Sequence, residues 1–175
     1  MIVAHDPNAN LFFWDQRLAL DPETGSIIGL FWTHNRAAQQ DSNIHIAWSS
    51  PYGKAWTQPV DIGIAGQIAS PLILSGRRVL AVYVHRHSPP GLRAILSEDF
   101  GETWETANEL IFYASDAGKE AGMDGKREFG DYWSDMSVWS FGHPEASLLA
   151  NGDVFVAFYG GDARALSMRW VRIAL

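Results

Sequence analysis

Two short stretches place ionisable side chains two residues apart. In Trp14-Asp15-Gln16-Arg17, an extended backbone puts Asp15 and Arg17 on one face, because successive side chains of a strand point to opposite sides. An Asp beside a guanidinium could supply an acid together with the planar fork that grips a carboxylate, such as that of a sugar acid. The same two residues could instead form an internal ion pair that ties neighbouring strands together. Gly142-His143-Pro144-Glu145 repeats the spacing with His143 and Glu145. Glu145 could act as a general base or raise the basicity of a neighbour, whereas His143 could simply pack the turn beside Pro144. Gly66-Gln67-Ile68-Ala69-Ser70-Pro71 adds Gln67 and Ser70 within an apolar segment. Trp32-Thr33-His34 and His85-Arg86-His87 end apolar runs. His34 and His85 could move protons near neutral pH and Arg86 could bind a carboxylate, or all three could cap strand ends. The six His residues show no tight metal-ligand spacing, so no metal or cofactor is expected. Gly-x-Ser-x-Gly and phosphate-loop patterns are absent as well.

Composition narrows the partners. The chain has 175 residues, 47% hydrophobic and 19% charged, enough for one domain with a packed core. Its net charge is −7 with no basic block, which argues against nucleic acid or an anionic membrane surface. No apolar run reaches membrane-spanning length, and the absence of cysteine removes disulfides and thiolate metal sites. Eight Trp, nine Phe and five Tyr suit strands and carbohydrate-facing surfaces alike. The first residues, Met1-Ile2-Val3-Ala4-His5-Asp6-Pro7, lack the charged and apolar regions of a signal peptide. The expectation is either a cytoplasmic protein or a piece of a longer chain, so localisation stays open.

The elements that must carry these residues repeat. Three times an apolar strand, a Gly turn and a second apolar strand follow one another, with turn glycines at Gly25, Gly76 and Gly152. Each unit reads as a β-hairpin followed by a third strand: Asn43–Trp48, Leu92–Leu96 and Leu166–Ile173. Gly25 and Gly76 are 51 residues apart, while Gly76 and Gly152 are 76 apart, which leaves about 25 extra residues near 113–140. The polar, Gly-rich Ala114–Gly122 part of that excess reads as a loop, and the aromatic Tyr132–Trp139 part could fold back over the domain. No segment holds a helical period, so helix content should be low.

The most specific stretch is Ser97-Glu98-Asp99-Phe100-Gly101-Glu102-Thr103-Trp104, or S-x-D-x-G-x-T-W. Asp99 can accept from the backbone amides that follow it, Gly101 can take φ > 0, and Trp104 supplies an apolar anchor. Ser49-Ser50-Pro51-Tyr52-Gly53-Lys54-Ala55-Trp56 is a decayed copy that keeps Ser, Gly and Trp, its glycine 48 residues before Gly101. That period fits a four-stranded propeller blade of roughly 40–50 residues. The stretch resembles the Asp box of the sialidase-like (BNR-repeat) β-propellers, and the resemblance extends over nearly the whole chain as three consecutive blades.

The resemblance implies an all-β partial propeller: blade 1 at about 11–59, blade 2 at about 66–112, an insertion at about 113–140 and blade 3 at about 141–175. Since such propellers usually have six blades, it implies a fragment holding the C-terminal blades, or two copies that complete one another through the open face. It places Ser97, Asp99, Gly101, Thr103 and Trp104 at the outer rim as structural residues. It puts the first strand of each blade on the central channel, so the expected pocket draws on Asp15, His143 and Glu145 as catalytic groups. Arg17, Gln67, Arg86, Trp32 and His34 are the expected substrate contacts. The implied activity is glycoside hydrolysis of the exo-α-sialidase kind on a carbohydrate substrate. A sialidase would carry a nucleophilic Tyr on a late inner strand, where this chain has Gly142-His143-Pro144-Glu145. A non-catalytic propeller that binds glycan or protein is the alternative, and an inactive half-gene product a third.

Overall fold

The computed structural model describes residues 2–115, 125–162 and 164–175. The 116–124 stretch, most of the expected polar loop, lies outside the described residues. The described residues fold as three antiparallel sheets, each a meander, with one short strand off the path of the first. The first contains β1 (Leu11–Leu20), β2 (Ile27–Asn35), β4 (Asn43–Trp48) and β5 (Val60–Ala65), with the short β3 (Gln40–Asp41) paired to β2. The second contains β6 (Ala69–Ile73), β7 (Val79–His85), β8 (Gly91–Ser97) and β9 (Leu110–Ala114). The third contains β10 (Phe141–Leu148), β11 (Val154–Gly161) and β12 (Leu166–Ile173), three strands among the described residues. The first strands of the sheets, β1, β6 and β10, approach one another, with β6 between the other two. This is the arrangement of three blades of a β-propeller that does not close. One six-residue helix, α1 (Asp131–Met136), precedes β10.

Burial follows the position of each sheet. All seven residues of β7 are buried, because its sheet is covered on both faces and its sequence is an unbroken apolar run ending in His85. On one side Leu30, Ile44, Ile46 and Ile64 of the first sheet meet Ala81, Tyr83 and Ile95. On the other, Leu80, Val82 and Ala94 meet Ala146, Val154 and Val156 of the third. Each such Val, Leu or Ile contributes about 1.5–3 kcal/mol relative to an exposed side chain. Strand β11 instead alternates buried and half-buried residues, as a strand covered on one face must. Its outer face and the paired β12 leave Leu166, Met168 and Trp170 largely exposed, with Phe155 stacked on Trp170.

The Ser97–Trp104 turn joins β8 to β9. Ser97 Oγ accepts from Gly101 N at 2.8 Å, and Asp99 Oδ1 accepts from Thr103 N at 2.8 Å. Asp99 Oδ2 accepts from the Thr103 hydroxyl at 2.6 Å. These bonds, the Thr103 hydroxyl foremost, hold the Asp99 carboxyl below its usual range. Phe100 and Gly101 adopt φ of +67° and +86°, and Tyr52 and Gly53 of the decayed copy adopt +63° and +66°. The backbone path thus survives loss of the Asp, with Ser50 Oγ accepting from Ala55 N at 3.0 Å in its place.

A Cβ on Gly101 would lie 2.6 Å from Ile46 Cδ1, whose side chain is fully buried. Gly101→Ala is expected to cost about 2 kcal/mol or more, from left-handed backbone strain and overpacking together. Gly152→Ala shares the positive φ but meets nothing within 4 Å, so it should cost about 1 kcal/mol. Urea midpoints of the two variants check the difference.

Candidate functional site

The site begins with two irregular strands. β1 shifts register against β2 between Phe13 and Gln16, and β10 shifts against β11 between Gly142 and Glu145. Such irregularities re-aim side chains that regular alternation would send elsewhere. The first falls at Trp14 and Asp15. The second falls at His143, which sits at φ +47°, in the left-handed region. Both open onto a cleft of about 410 Å³. Its walls are Trp14, Trp32, Trp139 and Tyr159, and its polar groups are Asp15 and His143. Ile68 and Met136 complete the lining.

Arg17 joins the two polar groups. Its Nε lies 3.3 Å from Asp15 Oδ1, and its Nη2 lies 3.2 Å from His143 Nδ1. A guanidinium only donates, so Nδ1 is the acceptor and the proton of a neutral His143 ring sits on Nε2. Partial burial of the ring pushes the His143 imidazole below its usual value; Asp15 opposes this, while Arg17 and Arg86 add to it.

Other residues expected at the site serve behind or beside the cleft. Arg86 is 1% exposed and lies under the Trp139 ring, 3.9 Å from its centroid, and 4.7 Å from that of Phe141. It donates to Gln67 Oε1 at 3.0 Å and to the Phe141 carbonyl at 2.7 Å. Gln67 precedes β6 rather than lying within it and passes the link on by donating to Asp41 Oδ2 at 3.0 Å. His34 is buried at the end of β2, where its Nδ1 lies 3.0 Å from the Tyr132 hydroxyl. Glu145 accepts from the Ser70 hydroxyl at 2.9 Å and does not line the cleft. Trp32 backs the cleft wall, 1% exposed beneath Trp14, and its Nε1 donates to Asp41 Oδ1 at 2.9 Å.

Asp41 is therefore the hub beneath the site, accepting from Trp32, Gln67 and the Tyr132 hydroxyl. Sequence reasoning passed over it, because Gln40-Asp41-Ser42 reads as an ordinary polar turn. It also passed over the placement of Trp139 and Tyr132, whose only signal was the aromatic density of 132–139. That segment does lie across the first sheet. Tyr132 is fully buried among Trp14, Trp32 and His34, and the Gln39 amide donates to Glu128 Oε1 at 3.1 Å. An Arg127–Asp135 ion pair braces the helix. Among the described residues, no group of three or more His, Cys, Asp or Glu is placed to hold a metal ion.

The buried histidines predict an acid-sensitive fold. His85, at the end of β7, is pushed down to about 4, first by burial and then by Arg93 and His87; the Pro89 carbonyl and Glu109 partly oppose this. The unfolded chain takes up this proton near the ordinary value of about 6.5, before the folded one does. Stability contributed by neutral His85 is complete above about pH 6.5 and is lost as the pH falls towards 4. His34, lowered mainly by burial, acts in the same direction. Melting temperature should drop between pH 6.5 and 4, and His85→Phe should flatten that dependence by roughly 2–3 kcal/mol.

No protein-family model matches this chain, and no curated protein matches it. Solved structures do. A protein of unknown function from Dyadobacter fermentans superposes with a TM-score of 0.64 at 23% identity, over 98% of this chain and 41% of the other. A GH43 β-1,3-galactosidase solved with galactodeoxynojirimycin matches with a TM-score of 0.58 at 11% identity, over 94% of this chain and 43% of the other. A Hadza microbial sialidase matches with a TM-score of 0.57 at 13% identity, over 94% of this chain and 32% of the other. The chain spans less than half the length of each. At these identities the likeness establishes the architecture, a propeller of the kind found in glycosidases, and no particular activity.

Proposed function

We propose that this chain is a glycoside-hydrolase-like propeller domain, sialidase-related in its blade pattern, that takes a saccharide into the Trp-walled cleft. The observation that carries the reading is the Asp15–Arg17–His143 constellation set among Trp14, Trp32 and Trp139. Indole faces pack against the apolar C–H faces of sugar rings, while a carboxylate and an imidazole N–H meet hydroxyls. The glycosidase neighbours agree with it. In this reading Asp15 is the proton-transfer group, Arg17 and His143 orient it, and the Asp-box stretch Ser97–Trp104 is structural.

A second reading, a non-catalytic glycan-binding propeller, is favoured by one observation. Hydrolysis by the usual route uses two carboxyl groups, and Glu145 is held by Ser70 away from the cleft. A panel of chromogenic glycosides, sialosides included, separates the two. Under the first reading Asp15→Asn lowers turnover at least 100-fold, as expected for loss of a general acid or base, and Glu145→Gln changes it little. Saccharide binding without turnover would establish the second reading. An active enzyme indifferent to Asp15→Asn would overturn the assignment of Asp15.

A further inference from the structure

Resting on the reading of the cleft as a saccharide site, we infer that it selects an uncharged sugar ring and rejects carboxylated sugars such as sialic or uronic acids. Recognition of a carboxylate needs a guanidinium or ammonium that faces the ligand and whose charge no protein carboxylate already matches. Arg17, the cation beside the cleft's polar groups, does not line the cleft, and its charge is matched by Asp15 at 3.3 Å while its Nη2 contacts His143 at 3.2 Å. Arg86 is sealed beneath Trp139, with its guanidinium committed to Gln67 and to the Phe141 carbonyl. No Arg or Lys lines the cleft among the described residues. An anionic ligand would instead meet the Asp15 carboxylate, which lines the cleft, and the like charges would repel.

What the cleft does offer suits hydroxyls. The Arg17 contact leaves a neutral His143 ring with Nε2–H as its free donor. Asp15 only accepts. A donor and an acceptor held together by one guanidinium match the paired donor and acceptor roles of sugar hydroxyls. The half-buried Trp14 ring, backed by the buried Trp32 ring with centroids 4.4 Å apart and tilted by 64°, offers apolar surface for the ring's C–H face.

The test is titration of the full chain at pH 7, followed by tryptophan fluorescence and ligand-observed NMR. The probes are the methyl glycosides of galactose, glucose and N-acetylglucosamine, against those of N-acetylneuraminic and glucuronic acids. At least one neutral glycoside should bind tenfold or more tightly than either carboxylated one. Asp15→Ala removes the anion and releases Arg17, and should improve carboxylated over neutral ligands at least tenfold. If that variant fails to fold, the wild-type ratio decides alone. Equal or tighter binding of a carboxylated glycoside to the wild type would overturn this inference and leave the saccharide reading standing. Binding of neither kind by a chain with a cooperative melt would overturn the saccharide reading itself.

Discussion

Tyr132→Ala should lower the unfolding free energy by about 4 kcal/mol, among the larger losses available to a single core truncation. The ring is wholly buried, 5.5 Å from the Trp14 ring, 5.2 Å from Trp32 and 5.4 Å from His34. Its hydroxyl donates to Asp41, so the His34 contact must run from Nδ1–H to the phenol oxygen. Burial and the neighbouring Asp41 carboxylate push the phenol well above its ordinary ionisation range, so it remains a donor. Tyr132→Phe keeps the packing and gives up both hydrogen bonds, which should cost about 1–2 kcal/mol. Urea unfolding of the two variants separates the apolar from the polar contribution. A Tyr132→Ala loss below 1 kcal/mol would mean that the 125–139 segment does not brace the first sheet.

Arg86→Met should cost about 3 kcal/mol although methionine fills similar space. The substitution strands the Gln67 Oε1 and the Phe141 carbonyl, both at buried positions, and removes the cation facing Trp139 and Phe141. Arg86→Lys should recover only part of that loss, because a point ammonium cannot stack flat and reach both acceptors. Thermal melts measure the cost. Tryptophan emission should report loosening of Trp139, and a wild-type emission maximum in Arg86→Met would contradict the stacking.

Strand positions were legible wherever one physical rule governed a segment. The apolar run of β7, set after a Gly turn, read as the second strand of a hairpin, and the S-x-D-x-G-x-T-W stretch specified its own turn. Less was legible where alternation is interrupted. Spacing by two suggested that His143 and Glu145 share a face, but the register shift and the left-handed His143 separate their roles: His143 lines the cleft and Glu145 pairs with Ser70. Arg86 shows a different limit. A sequence marks a cation after an apolar strand but not whether that cation points to solvent or under an indole. Asp41 and Tyr132 stand 91 residues apart and acquire meaning only from each other, so no local pattern could pair them.

Trp48, the last residue of β4, donates its Nε1 to the Phe100 carbonyl at 2.8 Å, inside the turn of the neighbouring blade. Trp48 and Trp104 share a cluster with Ile28, Val79 and Phe100, drawn from both sheets. The Ser97–Trp104 turn cannot open without breaking its bond to the Trp48 indole of the first sheet. Amide protons of β4 and β8 should therefore exchange with deuterium through one shared opening event, which makes the two sheets a single cooperative unit.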